Sequence, residues 1–442
     1  MDLVLLSRLQ FAMTIMFHYI FPQLSMGLAV VIVITEGIYL KTKNPLYLQI
    51  TKFWVKVFSL IFVLGVVSGV VMEFQFGTNW STYSRYVGDV FGSPIAAEGI
   101  FAFFLESCFL GIVVFGWNRV SKGFHFFSTV MVAVGAHLSA LWIIIANSWQ
   151  QTPAGHHIVE TGGKLRAEIV DFWDMVFNPS TVDRFTHAVI GTWQAGAFFV
   201  LSVCAFYLLK KRDEKFAKAC FKIALVFAAV ASILQLHTGH SSGVGVSKTQ
   251  PTKLAAFEGQ YEDQVPGDLY LFGWVDEKNE KTYGVKIPGG LSFLVSGDFK
   301  KPLAGLRAFP PEDRPPVNFV FQSYHLMICI GMFLILLSFY GLFVWWRGTL
   351  FKKAWLLWIF LLSVLGPQIA NQVGWISAEV GRQPWIVYGL LRTKDAVSMS
   401  VSAGEVLISL ILFGLIYLLL FVFFVYLLVG KILHGPNESG EK

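Results

Sequence analysis

Long apolar stretches alternate with short polar connections along most of this chain of 442 residues. Nine such stretches lie near positions 12–40, 53–72, 94–117, 124–147, 185–209, 217–236, 320–346, 354–380 and 404–430. Roughly 20 consecutive apolar residues are what an α-helix needs to cross the hydrocarbon core of a bilayer. The pattern therefore predicts an all-α polytopic membrane protein with nine transmembrane helices.

The charges in the connections predict how these helices are oriented. Cations cluster in the short connections after the first, third, fifth and seventh helices: Lys41, Lys43 and Lys52; Arg119 and Lys122; Lys210, Lys211, Arg212, Lys215 and Lys218; and Arg347, Lys352 and Lys353. Short cytoplasmic loops of membrane proteins are enriched in Lys and Arg. The longer connections 73–93 and 148–184 hold fewer cations than anions. We therefore expect an external N-terminus and a cytoplasmic C-terminus.

The connection between the sixth and seventh helices, 238–319, is the longest and falls on the outer side. At about 80 residues it exceeds an ordinary loop, so it is either functional or disordered. Its segment 270–275, Tyr-Leu-Phe-Gly-Trp-Val, is too apolar for a disordered linker. We therefore expect helices 1–6 in residues 1–237, a long structured external loop in 238–319, and helices 7–9 with a short cytoplasmic tail in 320–442.

Composition narrows the class of protein further. Hydrophobic residues make up 55% and charged residues 14% of the chain, which excludes an ordinary soluble domain and a disordered chain. The net charge of +6 reports topology and not a nucleic-acid partner, because the cations lie between apolar stretches. The four cysteines lack Cys-x-x-Cys spacing, so disulfides, zinc sites and iron–sulfur sites are not expected: Cys108, Cys204, Cys220 and Cys329.

An ionisable pair lies at the end of the eighth predicted helix. Glu379 is followed by Gly-Arg-Gln-Pro-Trp at 381–385, which contains Arg382. Two interpretations are open. In the first, the pair belongs to a functional site, in which anionic groups such as haem propionates are partners of Arg382. Alternatively the segment is an interfacial anchor, since Arg and Trp both favour headgroup depth.

Histidine, methionine and carboxylate side chains that face the interior of a helical bundle are suited to ligate haem iron. His18 lies in the first helix and either binds a metal or hydrogen-bonds a neighbouring helix. His187 opens the fifth helix and Met327 lies early in the seventh, so both fall near the outer surface. Such a pair makes a low-spin haem of raised potential. Met327 is also common core filler, His325 competes with it, and His137 is interpreted as structural.

Two carboxylates, Glu98 and Glu106, lie in the third predicted helix. On a regular α-helix, eight residues correspond to about 12 Å of rise and a net rotation of about 80°. Both carboxylates can therefore face one polar interior at successive depths. Membrane carboxylates without nearby cations suit metal ligation or a proton relay, and a purely structural pair is the alternative.

Several segments together resemble subunit I of the cytochrome bd-type quinol oxidases, in the form with a short external quinol loop. They are Ser7-Arg8-Leu9-Gln10-Phe11, Met72-Glu73-Phe74-Gln75-Phe76-Gly77-Thr78-Asn79-Trp80, Phe103-Phe104-Leu105-Glu106-Ser107, Leu138-Ser139-Ala140-Leu141-Trp142, Lys253-Leu254-Ala255-Ala256-Phe257-Glu258 and the run at 381–385. Each segment alone is a weak signal. Their joint presence, in order over nine helices, is specific.

The resemblance implies three haems. A low-spin haem b would take electrons from quinol, and a high-spin haem b and a haem d would reduce O2 to water. His187 and Met327 would ligate the low-spin haem. His18 and Glu379 would supply ligands to the other two haems, with Glu98 beside them as a ligand or proton donor.

The resemblance also implies further cofactor and quinol contacts. Arg382 would hold propionates, Trp375 would pack near the haem pair, and Arg8 would belong to the same cofactor-binding set. Lys253 and Glu258 would lie at the quinol site in the outer loop. In this chain His325 stands where some relatives have Arg, and the stretch 237–242 replaces a more acidic one.

The implied activity is that of a quinol:oxygen oxidoreductase in the bacterial cytoplasmic (inner) membrane. Ubiquinol or menaquinol would release protons outside, and protons for water would climb from the cytoplasm through Glu106, Ser107 and Ser139. The reaction would then be electrogenic without a proton pump. The implied partner is a second polytopic subunit, subunit II, to which many members of the family add a single-span small subunit.

Two other classes of function stay open. A membrane haem b carrier would pass quinol electrons to a partner protein without O2 chemistry, although the sequence lacks the repeated pair of histidines on two helices that is typical of such carriers. A proton-coupled transporter would explain Glu98 and Glu106, but it would not explain the His187 and Met327 pair.

Overall fold

The computed structural model describes residues 2–436, and this part of the chain contains nine helical segments long and apolar enough to cross a membrane. In chain order the helices are α1 Leu3–Thr42, α2 Pro45–Thr78, α3 Ser81–Ala97, α4 Phe104–Phe115, α5 Lys122–Gln151, α6 Phe172–Val176, α7 Thr181–Leu209, α8 Glu214–Thr249, α9 Pro251–Phe257, α10 Gly290–Ser296, α11 Val317–Trp346, α12 Ala354–Leu362, α13 Leu365–Val380 and α14 Ala403–His434. The prediction of an all-α membrane protein with nine transmembrane helices is confirmed.

Three small antiparallel hairpins lie in connections that the sequence places on the outer side. They pair β1 His156–Thr161 with β2 Lys164–Ile169, β3 Leu269–Asp276 with β4 Lys281–Ile287, and β5 Trp385–Val387 with β6 Leu391–Arg392. Backbone outside regular helices needs water or protein partners, which these connections can find outside the hydrocarbon core.

Local sequence fixes where several helices begin. Asn44 accepts a hydrogen bond from the Leu46 backbone in front of α2, whose first residue is Pro45. Ser402 and Glu405 form a reciprocal capping box at the start of α14. Side-chain acceptors of this kind satisfy backbone N–H groups that have no partner within the helix.

The sixth transmembrane helix is longer than the sequence predicts. The apolar stretch ends near 236, whereas α8 has 36 residues and reaches Thr249. At 1.5 Å per residue α8 is about 54 Å long, well beyond a hydrocarbon core of about 30 Å. Its polar last turns therefore project past the membrane, where Ser241 Oγ donates to Asp183 Oδ1 at 2.6 Å. Helix α8 thus continues into the segment 238–319 that the sequence assigns to an external loop, which stays a prediction.

Two transmembrane segments are interrupted. A π-helical segment, Glu98–Phe103, joins α3 to α4. Its i→i+5 bonds turn the chain less per residue than α-helical bonds do, so the rotation of about 80° that a regular α-helix gives between Glu98 and Glu106 does not apply here. The eighth segment divides into α12 and α13, with Pro367 in the first turn of α13, where a missing N–H breaks no helical hydrogen bond.

Helix α7 lies at the centre of the bundle. In its most apolar window 89% of residues are buried, against 11% in α14. Helices α1 and α7 cross closely at two glycines, because a β-carbon on Gly27 would stand 2.8 Å from Gly196 Cα. Small residues permit such close approach between membrane helices. The two helices that carry His18 and His187 are therefore held tightly together.

Candidate functional site

A group of charged and amide side chains surrounds Glu379 at the end of α13. The Glu379 carboxylate accepts hydrogen bonds from Gln151 Nε2 at 3.0 Å and from Asn147 Nδ2 at 3.2 Å. It forms an ion pair with Arg382 one turn later. Arg184 Nη2, from the start of α7, lies 3.6 Å from Glu379 Oε1. Helices α5, α7 and α13 thus meet at this carboxylate.

The cluster around Glu379 has more positive charge than its one carboxylate balances. Arg382 is only 6% exposed, and its Nε and Nη1 atoms are buried without a hydrogen-bond partner, as is Nε of Arg184. Buried charged donors without partners are costly. Their free N–H groups suit a carboxylate-bearing ligand, and haem propionates are of that kind. The residues present therefore fit the anionic edge of a haem.

Trp375 connects this cluster to α1. The Arg184 guanidinium lies 5.5 Å from the centre of the Trp375 ring, and Tyr19 packs edge-on against the same ring at 5.9 Å. Tyr19 is the neighbour of His18. Trp375 therefore lies between the cluster around Glu379 and the part of α1 that carries His18; its packing near a haem pair stays a prediction.

His18 lies against α2. Its Nδ1 is 3.0 Å from Ser68 Oγ, and a β-carbon on Gly69 would stand 3.1 Å from its Cε1. The ring thus lies where Gly69 leaves room for it. Arg8 is half-buried near the start of α1, ten residues or about 15 Å along the helix from His18.

His187 and Met327 each lie against a glycine of a neighbouring helix. His187 Nδ1 is 3.2 Å from Thr238 Oγ1, and a β-carbon on Gly239 of α8 would stand 3.3 Å from its Cε1. A β-carbon on Gly374 of α13 would stand 2.8 Å from Met327 Sδ. The two predicted ligands therefore face different helices, α8 and α13, in the described part of the chain. Glycine at both positions lets the His187 ring and the Met327 sulfur pack directly against the backbone of these helices.

His325 and His137 have both ring nitrogens engaged. His325 Nδ1 and Nε2 each lie 2.9 Å from a backbone oxygen, of Phe321 and of Tyr270. His137 Nδ1 lies 2.7 Å from the Ala133 oxygen, and Trp193 Nε1 donates to His137 Nε2 at 2.9 Å. The ring nitrogens of His187 are likewise within hydrogen-bond distance of Gln235 Nε2, at 3.2 and 3.3 Å, so these contacts alone do not distinguish structural histidines from metal ligands. His325 joins β3 to α11 through its contact with the Tyr270 backbone oxygen.

Glu98 and Glu106 both face α5. Ser139 Oγ donates to Glu98 Oε1 at 2.6 Å. A β-carbon on Gly135, one turn away on α5, would stand 3.0 Å from Glu106 Cβ. The two carboxylates therefore follow one another along the same helix, as the sequence predicts. Ser107 differs, because it is exposed whereas Glu106 is buried; adjacent residues of a helix point in directions about 100° apart.

The connection between α8 and α11 contains two ionisable side chains in buried positions. Lys253 is 2% exposed, and its Nζ donates to Gln151 Oε1 at 2.5 Å. Burial, together with the nearby Arg184, lowers the pKa of Lys253 well below its usual range. Glu258 is 1% exposed and accepts a hydrogen bond from the Tyr270 N–H at 3.0 Å. Its Oε1 has no partner, and burial raises the pKa of the Glu258 carboxyl to about 8.

Sequence reasoning missed three residues that contact Glu379: Asn147, Gln151 and Arg184. Asn147 and Gln151 are four residues apart and share a face of α5. Arg184 is a cation in the first turn of a membrane helix, which is a general sign of function. The amides carry no comparable signal, because Asn and Gln occur at many helix ends.

Comparison with known proteins provides evidence about the family of this chain that is independent of the contacts described above. Residues 6–436 match the family model described as cytochrome bd terminal oxidase subunit I. The whole chain is 40% identical to cytochrome bd ubiquinol oxidase subunit 1 of Bacillus subtilis (strain 168), covering 96% of that protein. It is 35% identical to cytochrome bd-II ubiquinol oxidase subunit 1 of Escherichia coli (strain K12), with 99% and 97% of the two chains covered. The structure of bd oxidase from Geobacillus thermodenitrificans matches with a TM-score of 0.91 and 29% identity, over 98% of this chain and 99% of that one.

Proposed function

The chain belongs to the cytochrome bd terminal oxidase subunit I family, and on that premise we propose that it is the haem-bearing catalytic subunit of a quinol-oxidising respiratory terminal oxidase. It oxidises quinol at the outer face of the membrane and reduces O2 to water with protons from the cytoplasm. The fold as a multi-pass membrane protein and the place in a respiratory terminal oxidase follow from the family.

The observation that supports this proposal most is the position of Lys253. This lysine belongs to the external loop, yet its Nζ reaches Gln151, which also donates to Glu379. A loop that binds quinol and a cluster that holds an anionic cofactor are therefore in contact. A transporter does not require contact between a quinol-binding loop and a cofactor-binding cluster. A haem b carrier does not require a carboxylate ligand such as Glu379.

Three haems have candidate binding residues. His187 and Met327 would hold the low-spin haem b, and His18 and Glu379 would hold the high-spin haem b and the haem d, with Glu98 beside them. Arg382 would bind propionates, with Trp375 and Arg8 as further contacts. When bound, the haems would supply the electron path from quinol and the iron at which O2 is reduced.

Glu258 and its neighbours perform the quinol half-reaction. The unpartnered Glu258 Oε1 is buried and can accept a proton from a quinol hydroxyl as a general base. Phe257 and Tyr324 stack in parallel at 4.2 Å beside it, and their surface suits an aromatic quinol ring. The Lys253 amine is a hydrogen-bond donor for a quinol oxygen. The substrate is ubiquinol or menaquinol.

Glu106, Ser139 and Glu98 carry protons from the cytoplasmic side to the site where O2 is reduced. Glu98 and Ser139 are hydrogen-bonded. Glu106, on α4, packs against Gly135, which lies one turn from Ser139 on α5. Protons leave quinol outside and enter water formation from inside, so charge is separated without a pump. This direction rests on an external N-terminus and a cytoplasmic C-terminus.

The family implies a partner, and we assign subunit II, a second polytopic subunit, to that role. Helices at the edge of the bundle expose large apolar side chains, such as Phe101, Phe104 and Leu419, to lipid or to a partner. A single-span small subunit is a further partner. The complex lies in the bacterial cytoplasmic (inner) membrane.

An optical spectrum of the purified complex tests the proposal. A reduced-minus-oxidised spectrum should contain b-type bands and a long-wavelength chlorin band of haem d, and quinol should drive O2 uptake. Bands of b-type haem without O2 uptake would identify a carrier instead. A complex with no haem would favour a transporter.

A further inference from the structure

One side chain connects the external loop to the Glu379 cluster. Gln151, the last residue of α5, is 2% exposed. Its Oε1 accepts from Lys253 Nζ at 2.5 Å, and its Nε2 donates to Glu379 Oε1 at 3.0 Å. The two ends of a single amide group thus contact the loop and the end of α13.

The orientation of this amide is determined by its partners. An ionised carboxylate only accepts, so the nitrogen of Gln151 must face Glu379 and its oxygen then faces the Lys253 amine, which donates to it. The Gln151 backbone oxygen also accepts from Gln250 Nε2 at 2.7 Å. The start of α9 is therefore fixed to the end of α5, and the amide has little freedom while Lys253 stays in place.

We propose that Gln151 is a positioning residue that couples quinol binding at Lys253 to the carboxylate of Glu379. This inference rests on the proposed function, because it takes Lys253 as part of the quinol pocket. Lys253 has two arrangements, in which its Nζ donates either to Gln151 or to a quinol oxygen. In the second, Gln151 Oε1 loses its buried donor, the amide turns, and its hydrogen bond to Glu379 weakens.

Glu379 keeps other partners during this change. Arg382, Arg184 and Asn147 contact it directly and not through Lys253, so the change weakens one hydrogen bond of the cluster and not all of them. Asn147 contacts Glu379 without contacting Lys253, so it does not transmit this change. A two-state contact of this kind is a physical basis for coupling between two sites.

Coupling of two sites is reciprocal and is measured as a ratio of affinities. We would titrate the reduced complex with carbon monoxide, with and without a saturating 2-alkyl-4-hydroxyquinoline N-oxide, a quinone-site ligand that cannot be oxidised. In the wild-type complex the N-oxide should change carbon monoxide affinity by about fivefold or more, the lower end of typical allosteric couplings. The optical spectrum of the oxidised complex should also shift when the N-oxide binds.

Two variants separate coupling from folding. Gln151→Met keeps the length of the side chain and removes both hydrogen bonds, and Gln151→Glu keeps the acceptor for Lys253 but cannot donate to Glu379. In both, the affinity ratio should fall to about 1, the value of uncoupled sites. Gln194→Met is the control, since Gln194 is a buried amide on α7 that donates to Ser232 instead, and it should keep the wild-type ratio.

Several results would overturn the proposal. A wild-type complex that binds both ligands with a ratio of 1 has no coupling to explain, and a Gln151→Met complex that keeps the wild-type ratio excludes this residue. Loss of all haem in both Gln151 variants, with a normal Gln194→Met complex, would assign Gln151 a structural role only. Failure of the proposed function looks different, because the wild-type complex itself would then bind no carbon monoxide.

Discussion

The aliphatic stem of Lys253 lies against Gly381, the first residue of the Gly-Arg-Gln-Pro-Trp segment. A β-carbon on Gly381 would stand 3.0 Å from Lys253 Cγ and 2.5 Å from the Ser377 backbone oxygen. Glycine at this position therefore lets the external loop pack directly onto the segment that carries Arg382. This contact favours a functional site over an interfacial anchor as the interpretation of that segment, because an anchor has no need of a buried lysine from another part of the chain.

Gly381→Ala should impair quinol use more than it impairs haem binding. The added methyl group meets both the Lys253 stem and the Ser377 backbone oxygen, so the loop and the last turn of α13 must shift relative to each other, and misplacement of a binding group by about 1 Å can cost up to about 100-fold in rate. We expect the KM for quinol to rise about tenfold or more with normal haem bands. Gly404→Ala is the control, because a β-carbon on Gly404 meets no atom within 4 Å. Equal KM values in both variants would show that the contact with Lys253 is irrelevant.

Glu258 should give quinol oxidation a characteristic dependence on pH. Burial raises the pKa of this carboxyl to about 8, so it is protonated below that pH and cannot accept a proton. The rate should therefore rise as the pH increases and level off above about 8. Glu258→Gln should lower the rate by about 10²- to 10⁴-fold, remove this rise and leave the haem spectra unchanged.

A carboxylate of the same loop provides the comparison. Glu262 is exposed and pairs with Arg307, so Glu262→Gln should keep both the rate and its pH dependence. Wild-type turnover in Glu258→Gln would exclude Glu258 as the general base.

Met327→Leu should convert the low-spin haem to a high-spin or ligand-exchangeable form and slow quinol-driven turnover. Leucine fills a similar volume but offers no sulfur to iron, and Met ligation raises the haem potential. The spin state is read from the optical spectrum, and the potential from a redox titration. Met332→Leu is a matched change, because Met332 lies on the same helix and is 44% exposed. A low-spin spectrum that survives Met327→Leu would remove Met327 from the ligand set.

The sequence predicted the membrane helices well because their cause is local. About 20 consecutive apolar residues suffice for a span, and Asn44 and Ser402 begin their helices through neighbours in the chain. The extension of α8 to Thr249 was not predictable in this way, because its last turns are polar and are held by contacts such as that of Ser241 with Asp183. The π-helical segment at Glu98 likewise has no periodic signal of its own.

The candidate site was predictable where residue types are rare in membranes. Glu98 and Glu379 are conspicuous as carboxylates among apolar neighbours, and the resemblance gave them roles. Gln151 was missed since its partners, Lys253 and Glu379, lie 102 and 228 residues away in the chain. Only the packing of α9 onto the end of α5 brings these three side chains together.

Removal of the oxygen-side carboxylates should affect the three haems unequally. Glu379→Ala leaves Arg382 and Arg184 without their carboxylate partner, and Glu98→Ala removes the acceptor of Ser139. We expect both variants to lose or shift the high-spin haem bands and to suppress O2 uptake. The low-spin haem should still be reduced by quinol, because His187 and Met327 contact α8 and α13 through other residues.

This selectivity distinguishes a local oxygen site from general misfolding, which would remove every haem together. Haem content per complex, the spectra of quinol-reduced samples and O2 consumption are the three measurements. Glu214→Ala is the control, since Glu214 is an exposed carboxylate at the start of α8 that pairs with Lys218, and it should behave as the wild type. Full haem content, unshifted spectra and normal O2 uptake in both Glu98→Ala and Glu379→Ala would mean that these carboxylates are structural, and that O2 is reduced elsewhere or by another subunit.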